Sequence, residues 1–146
     1  MDYSIESGPS NSVLEVKLSA GEEIVSESGA MAWMSTNIEV ETGARGGIRA
    51  SLGRSLLGGE SFFQNTYSAV GGSGEIGLTP GQPGQVVAHE MRGDELLLEK
   101  DAYLASEPSV ELNTDFQGLR GLFNEGMFVL RATGSGMLFF RRLRRY

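Results

Sequence analysis

Short runs of alternating apolar and polar residues, each closed by glycine, most restrict what this chain can become. Val13-Leu14-Glu15-Val16-Lys17-Leu18 has the two-residue period of a strand with one buried face. Ser19-Ala20-Gly21-Glu22 is a turn, and Glu23-Ile24-Val25-Ser26-Glu27 reads as the returning strand. Ala30-Met31-Ala32-Trp33-Met34 is a short apolar run, and Ile38-Glu39-Val40-Glu41-Thr42 alternates again. Glycine supplies 21 of 146 residues, about 14% and about twice the usual share. Without a collagen period, such content means many tight turns and many short strands. The pattern predicts an all-β chain with at most a short helix or two. Its expected core is Leu14, Val16, Leu18, Ile24, Met31, Ile38, Val40, Phe63, Leu97, Val110, Leu112, Phe128 and Leu138.

The series occurs twice. Setting Gly21 on Gly93 sets Ile24-Val25 on Leu96-Leu97, Ala30 on Ala102, Ile38-Glu39-Val40 on Val110-Glu111-Leu112 and Thr42 on Thr114. Further on, Glu60-Ser61-Phe62-Phe63 falls on Glu125-Gly126-Met127-Phe128, and Gly72-Ser73-Gly74 on Gly134-Ser135-Gly136. This order predicts an internal duplication: one domain over residues 1–146, with antiparallel strand units at about 12–78 and 85–140.

Composition excludes several chemistries. With Cys 0, disulfides, thiol catalysis and cysteine-ligated zinc or iron–sulfur sites are impossible. With His89 as the single histidine, every multi-histidine metal site is impossible too. No metal and no cofactor are therefore expected. The net charge of −7 disfavours DNA and RNA as partners. Basic charge is uneven, with Arg141, Arg142, Arg144 and Arg145 at the end of the chain. The start MDYSIESGPS lacks the basic and apolar regions of a signal peptide. No apolar run reaches the ~18 residues that cross a bilayer. A soluble, cytoplasmic protein is the expectation.

The local motifs mostly read as architecture. Gly72-Ser73-Gly74-Glu75-Ile76-Gly77 has the spacing of a dinucleotide fingerprint, but that motif must open a helix. Thr79-Pro80-Gly81-Gln82-Pro83-Gly84 follows and forbids one, so a hairpin turn is expected. Arg92-Gly93-Asp94 takes the place of the Ala20-Gly21-Glu22 turn. His89 and Glu90 would face opposite sides of a strand and so share no site. Glu22, Glu23 and Glu27, with Asp94, Glu95 and Glu99, lack the compact loop of a calcium site. The segment Gly43 to Gly59 differs. Ile48, Leu52 and Leu56 form a stripe of helical spacing beside Arg45, Arg49 and Arg54, and Leu57 extends it. The glycines around them weaken a helix. Such a basic, apolar insert can pack on its own barrel, form a subunit interface or touch a membrane surface.

GPS at Gly8 to Ser10, ESGAMAWMS at Glu27 to Ser35, LLGGESFFQNTYSA at Leu56 to Ala69 and AYLAS…VEL from Ala102 to Leu112 carry a resemblance. Together they resemble an uncharacterised, domain-of-unknown-function family related to a fungal mitochondrial-biogenesis and inheritance protein. The resemblance spans about Tyr3 to Phe140. It implies a shortened double-stranded β-helix or sandwich, similar in fold to the tryptophan RNA-binding attenuation protein. It supplies no catalytic residues. Members of the family continue past the Gly134-Ser135-Gly136 turn into a further strand unit, so this chain resembles two of three related units. A natural short form, a truncation and a changed reading frame all fit that ending.

The expected function is a non-enzymatic scaffold or interaction protein of repeated β units, working as a homo-oligomer (dimer or trimer). The alternative is a module binding a small molecule, a lipid or a membrane surface, with a groove near Trp33 and Phe62. RNA binding, suggested by the fold relative, ranks below both because fold does not imply function. Residues 46–57 are the expected contact with a second copy, another protein or a membrane surface. On this reading, replacing Leu52 and Leu56 together by Asp dissociates the oligomer without unfolding the β core. Light scattering beside far-ultraviolet circular dichroism checks both halves of that expectation.

Overall fold

In the computed structural model, residues 1–8, 11–43, 63–113 and 129–142 are described. The described chain is all-β and antiparallel, interrupted by a single 3-10 turn at Lys100–Ala102. Strands β1 (Asp2–Ser7), β2 (Ser12–Leu18), β7 (Gly74–Leu78) and β4 (Met31–Met34) form one sheet in the order β1-β2-β7-β4. The second sheet runs β10 (Val110–Asn113), β11 (Val129–Arg142), β9 (Tyr103–Ser106), β3 (Glu23–Glu27), β6 (Gln64–Ala69), β5 (Ile38–Gly43). The long strand β8 (Gln85–Glu99) also joins it, along β11.

The alternation read in the sequence places the core. Leu14, Val16 and Leu18 of β2, all at most 1% exposed, point inward with Ile76 and Leu78 of β7. Ile24, Tyr67, Ala105 and Phe139 meet them from the second sheet, so one apolar cluster holds the two sheets together. A second cluster, with Met91, Val110, Leu112, Leu130 and Leu138, lies along β8, β10 and β11. Each fully buried Leu or Ile removes side-chain surface worth about 1.5–3 kcal/mol from water.

Four expected core residues lie outside it. Met31, Val40, Phe63 and Leu97 are each at least 40% exposed. Met31 is on β4 and Val40 on β5, both last in their sheets, while Leu97 is on β8, which pairs only with β11 among the described residues. Alternation marks the apolar face of a strand but not whether another layer covers it. Phe128 lies outside the described residues.

The two Gly-rich turns of the second half are also different from expectation. Arg92-Gly93-Asp94 makes no hairpin, because β8 runs through it from Gln85 to Glu99. Gly93 takes a φ of +80° there. The partner strand β11 likewise passes through Gly134-Ser135-Gly136, with a register shift between Thr133 and Ser135. One extra residue in the ladder is accommodated as a bulge, which turns the strand without ending it. The Asp94 carboxylate accepts the Arg92 N–H at 2.7 Å and stabilises the bulge. In the first half Gly72-Ser73-Gly74 makes no hairpin either: β6 and β7 do not pair, and the chain bends there from the second sheet into the first while both strands stay antiparallel to β5 and β4.

Corresponding strands in the two halves pair alike. Ile38 pairs with Ala69 and Val40 with Tyr67, while Val110 pairs with Gly134 and Leu112 with Ala132. Glu23 pairs with Ser68 and Glu27 with Gln64, while Glu95 pairs with Thr133 and Glu99 with Val129.

Trp33 pairs across the ladder with Gly77, and its indole occupies the space a Cβ at Gly77 would fill. Gly77→Ala therefore forces Trp33 off the sheet. The expected cost is about 1–3 kcal/mol, the usual range for overpacking. Since the chain has Trp 1, a red shift of its emission together with a lower urea midpoint would report the displacement directly.

Candidate interaction surface

Four consecutive strand residues, Met31, Ala32, Trp33 and Met34, are exposed. Met31 and Trp33 are each 40% accessible and Met34 is 37%. Such a run is unusual for a strand, whose alternate residues normally face a core. β4 hydrogen-bonds to β7 on one side, and no strand among the described residues pairs with its other side. Unpaired backbone beside apolar side chains is a template for adding a strand.

Trp33 also walls a shallow groove of about 250 Å³ on the outer face of the first sheet. The ladder sets Lys17 between Asp2 of β1 and Glu75 of β7, and places Glu15 beside Gly77. These side chains line the groove with Trp33. One aromatic wall with both signs of charge suits a small polar ligand better than an apolar chain. On the opposite face of β1, Tyr3 meets Phe139 edge to face, with ring centroids 5.0 Å apart. Phe62, expected near this groove, lies outside the described residues.

A second hollow, about 210 Å³, is lined by Glu27, Lys100, Asp101, Tyr103 and Arg141. Burial at its mouth pushes the Glu27 carboxyl above the ordinary range; Lys100 opposes that shift and Asp101 adds to it. Arg141 donates to the Pro83 carbonyl at 3.1 Å. Behind the hollow is a buried polar node that apolar patterning did not reveal. The Tyr103 hydroxyl donates to the Val25 carbonyl at 3.3 Å and lies 3.0 Å from Ser106 Oγ. It also receives a hydrogen bond from Gln64 Nε2 at 3.1 Å. Gln64 and Ser106 are at most 1% exposed, and Gln64 Oε1 finds no partner among the described residues. The node fastens β9 to both β3 and β6.

His89 is not oriented by Glu90. Its Nε2 lies 3.3 Å from Asp94 Oδ2 at the bulge, while Glu90 pairs with Arg92 at 2.7 Å. The hydrogen bond from the Arg92 N–H is the largest influence holding the Asp94 carboxyl below its ordinary range, and His89 adds to it. The pair is on the surface, and no cavity described above includes it. The insert residues Arg45, Ile48, Arg49, Leu52, Arg54, Leu56 and Leu57, expected as the contact surface, lie outside the described residues. Among the described residues no group of three acidic or histidine side chains could hold a metal ion. No helix there is long and apolar enough to cross a membrane.

The node makes a sharp prediction. Tyr103→Phe leaves the buried Gln64 amide N–H without its acceptor and is expected to cost about 1–3 kcal/mol. Adding Gln64→Met removes the stranded group, so the double variant should recover part of that loss. A double-mutant cycle from urea midpoints measures the coupling.

Similarity to known proteins agrees with this architecture. An uncharacterised protein of Streptococcus pyogenes serotype M6 is 29% identical over 147 aligned residues, covering 94% of this chain and 59% of that protein. A crystal structure of a Streptococcus pyogenes protein superposes with a TM-score of 0.77 at 27% identity, over 97% of this chain and 64% of the solved one. The chain thus spans less than two thirds of the length of either relative. The family model described as Mitochondrial biogenesis AIM24 matches residues 3–143. With nearly all of its length matched, and with the same all-β framework, this chain belongs to the mitochondrial biogenesis AIM24 family.

Proposed function

We propose that this chain is a non-enzymatic scaffold or interaction protein, built from two related β units and acting as a homo-oligomer. The observation that carries the reading is the exposed apolar strand Met31–Met34, bearing the one tryptophan of the chain at the open side of a sheet. Water contact with Met31, Trp33 and Met34 costs hydrophobic free energy that association recovers, at about 25 cal/mol per Å² covered. The like pairing of corresponding strands in the two halves supports the two-unit description. The relatives that match are uncharacterised, so they contribute a framework and no activity. The absence of cysteine and the single histidine favour a non-catalytic role.

The groove beside Trp33 supports a second reading, a module for a small polar molecule held between Lys17 and the surrounding carboxylates. The two readings separate in one measurement. The scaffold reading expects light scattering to give a mass of at least twice the 15.7 kDa chain at micromolar concentration. A mass of one chain across that range overturns it. Native mass spectrometry of the same sample would then favour the second reading only if a bound small molecule accompanies the single chain.

A further inference from the structure

β4, last in the first sheet, and the end of β8, which branches off β11 in the second, correspond to two strands that the chain already joins once. Aligning Gly21 with Gly93 sets β4 on β9, Met31 on Tyr103 and Met34 on Ser106. Aligning Gly74 with Gly136 sets Ile76 on Leu138, Gly77 on Phe139 and Leu78 on Phe140. The ladders agree at each step. Met31, Trp33 and Met34 pair with Leu78, Gly77 and Ile76. Tyr103, Ala105 and Ser106 pair with Phe140, Phe139 and Leu138. Each ladder slips at its first step, between Met31 and Trp33 and between Phe140 and Phe139.

The large and small partners are exchanged, Trp33 over Gly77 in one ladder and Ala105 beside Phe139 in the other. The space between strands is filled in both.

What differs is the far side. β9 uses its second edge to pair with β3, Ser106 opposite Val25 and Ala105 opposite Ser26. All four residues of β9 are buried, and Val25 is 2% exposed. β4 has no such partner among the described residues, and all four of its residues are exposed. The same alignment sets β3 on the last residues of β8, with Val25 on Leu97. That stretch of β8 hydrogen-bonds only to β11 among the described residues, and Leu97 is 44% exposed. Among the described residues there is therefore one closed junction, β9 on β3, and both halves of another, β4 and the end of β8, each left open.

We propose that β4 of one copy pairs antiparallel with the end of β8 in a second copy, in the register that β9 and β3 use within the chain. Met34 then stands opposite Leu97, and Trp33 opposite Leu98. The occupant is a second copy because the fit is inherited from a contact already made in this fold, between strands of matching register. Strand addition satisfies the free backbone groups on both edges, and Met31, Trp33, Met34 and Leu97 leave water together. The contact is head to tail. It leaves one β4 edge and one β8 edge for the next copy, and closes into a ring when the rotation between copies permits. The proposal rests on the homo-oligomer reading and adds the surface that forms it.

With Cys 0 in the chain, introduced thiols have no competitors. Directly opposed strand residues have Cα atoms about 4.5–5.5 Å apart, within disulfide range. Met34→Cys and Leu97→Cys, made in separate chains and mixed under mild oxidation, should form a covalent dimer that reductant reverses. Either variant alone should remain a single chain on a non-reducing gel. Met31→Cys mixed with Leu97→Cys is the register control, three residues away along the strand, and should cross-link at least tenfold less. Both tested positions are exposed, and Met34→Lys is a second variant: it should return the wild-type assembly to single-chain mass with its circular dichroism unchanged. No cross-link from the mixture, or no change of mass in Met34→Lys, overturns the proposed surface while a multimeric wild type keeps the scaffold reading. Cross-linking of Met34→Cys with itself also overturns it, since that requires two β4 edges to meet. A wild type of single-chain mass overturns both.

Discussion

β11 hydrogen-bonds along its length to three other strands, and the rest of the molecule is arranged on that ladder. Its first half lies between β10 and β8, and its second half between β8 and β9. Because strand side chains alternate, one strand can feed two cores. Leu130, Ala132 and Leu138 enter the cluster along β8 and β10, whereas Phe139 enters the cluster that joins the sheets. The extra residue of the bulge lies in β8, where Gly93 and Asp94 oppose Gly134, so β11 keeps its alternation through the irregularity. In the first half β6 and β7 are separate strands, divided at Gly71-Gly72, and go to different sheets.

The Tyr103 node gives the packing of β9 against β3 and β6 its specificity of fit. Apolar contacts in a sandwich tolerate sliding, because they have no preferred direction. The Tyr103 hydroxyl bonds to the Val25 carbonyl and accepts from Gln64, so β9 has one register against β3 and β6. Buried polar groups are expensive when unpaired, which makes neighbouring registers unfavourable. The charged hollow in front of the node, with Glu27 shifted upward by its own burial, is a consequence of closing the sheet at that place.

Family membership and the open edges bear on each other. The AIM24 model covers residues 3–143, yet the chain spans only 59% and 64% of the two streptococcal relatives. Among the described residues, five of the eight large exposed hydrophobics, Met31, Trp33, Met34, Val40 and Leu97, lie on β4, β5 and β8, and Tyr3, Phe63 and Val70 lie elsewhere. Isolated surface hydrophobics are ordinary, but a run of four exposed residues on one edge is a docking signature. The exposed run on β4 is what the proposed assembly starts from.

Alternation and glycine punctuation alone determined the all-β class, the turn at Ala20-Gly21 and the inward face of β2, since a period of two leaves Leu14, Val16 and Leu18 on one side. They also located Ile24, Ile38, Val110, Leu112 and Leu138 in the core. The motifs at Glu27 to Ser35 and Leu56 to Ala69 carried the family resemblance without any geometry. Tertiary structure decided the rest. Met31, Val40 and Leu97 have the right pattern for a core and are exposed, because burial depends on a neighbouring layer supplied from elsewhere. Arg92-Gly93-Asp94 has the composition of a turn, and becomes a bulge because β11 pairs on both sides of it. Gln64, Tyr103 and Ser106 look unremarkable in sequence, and only folding brings Gln64 and Tyr103 to within 3.1 Å. Local pattern records which way a side chain points; what it meets there is set by strands distant in the chain.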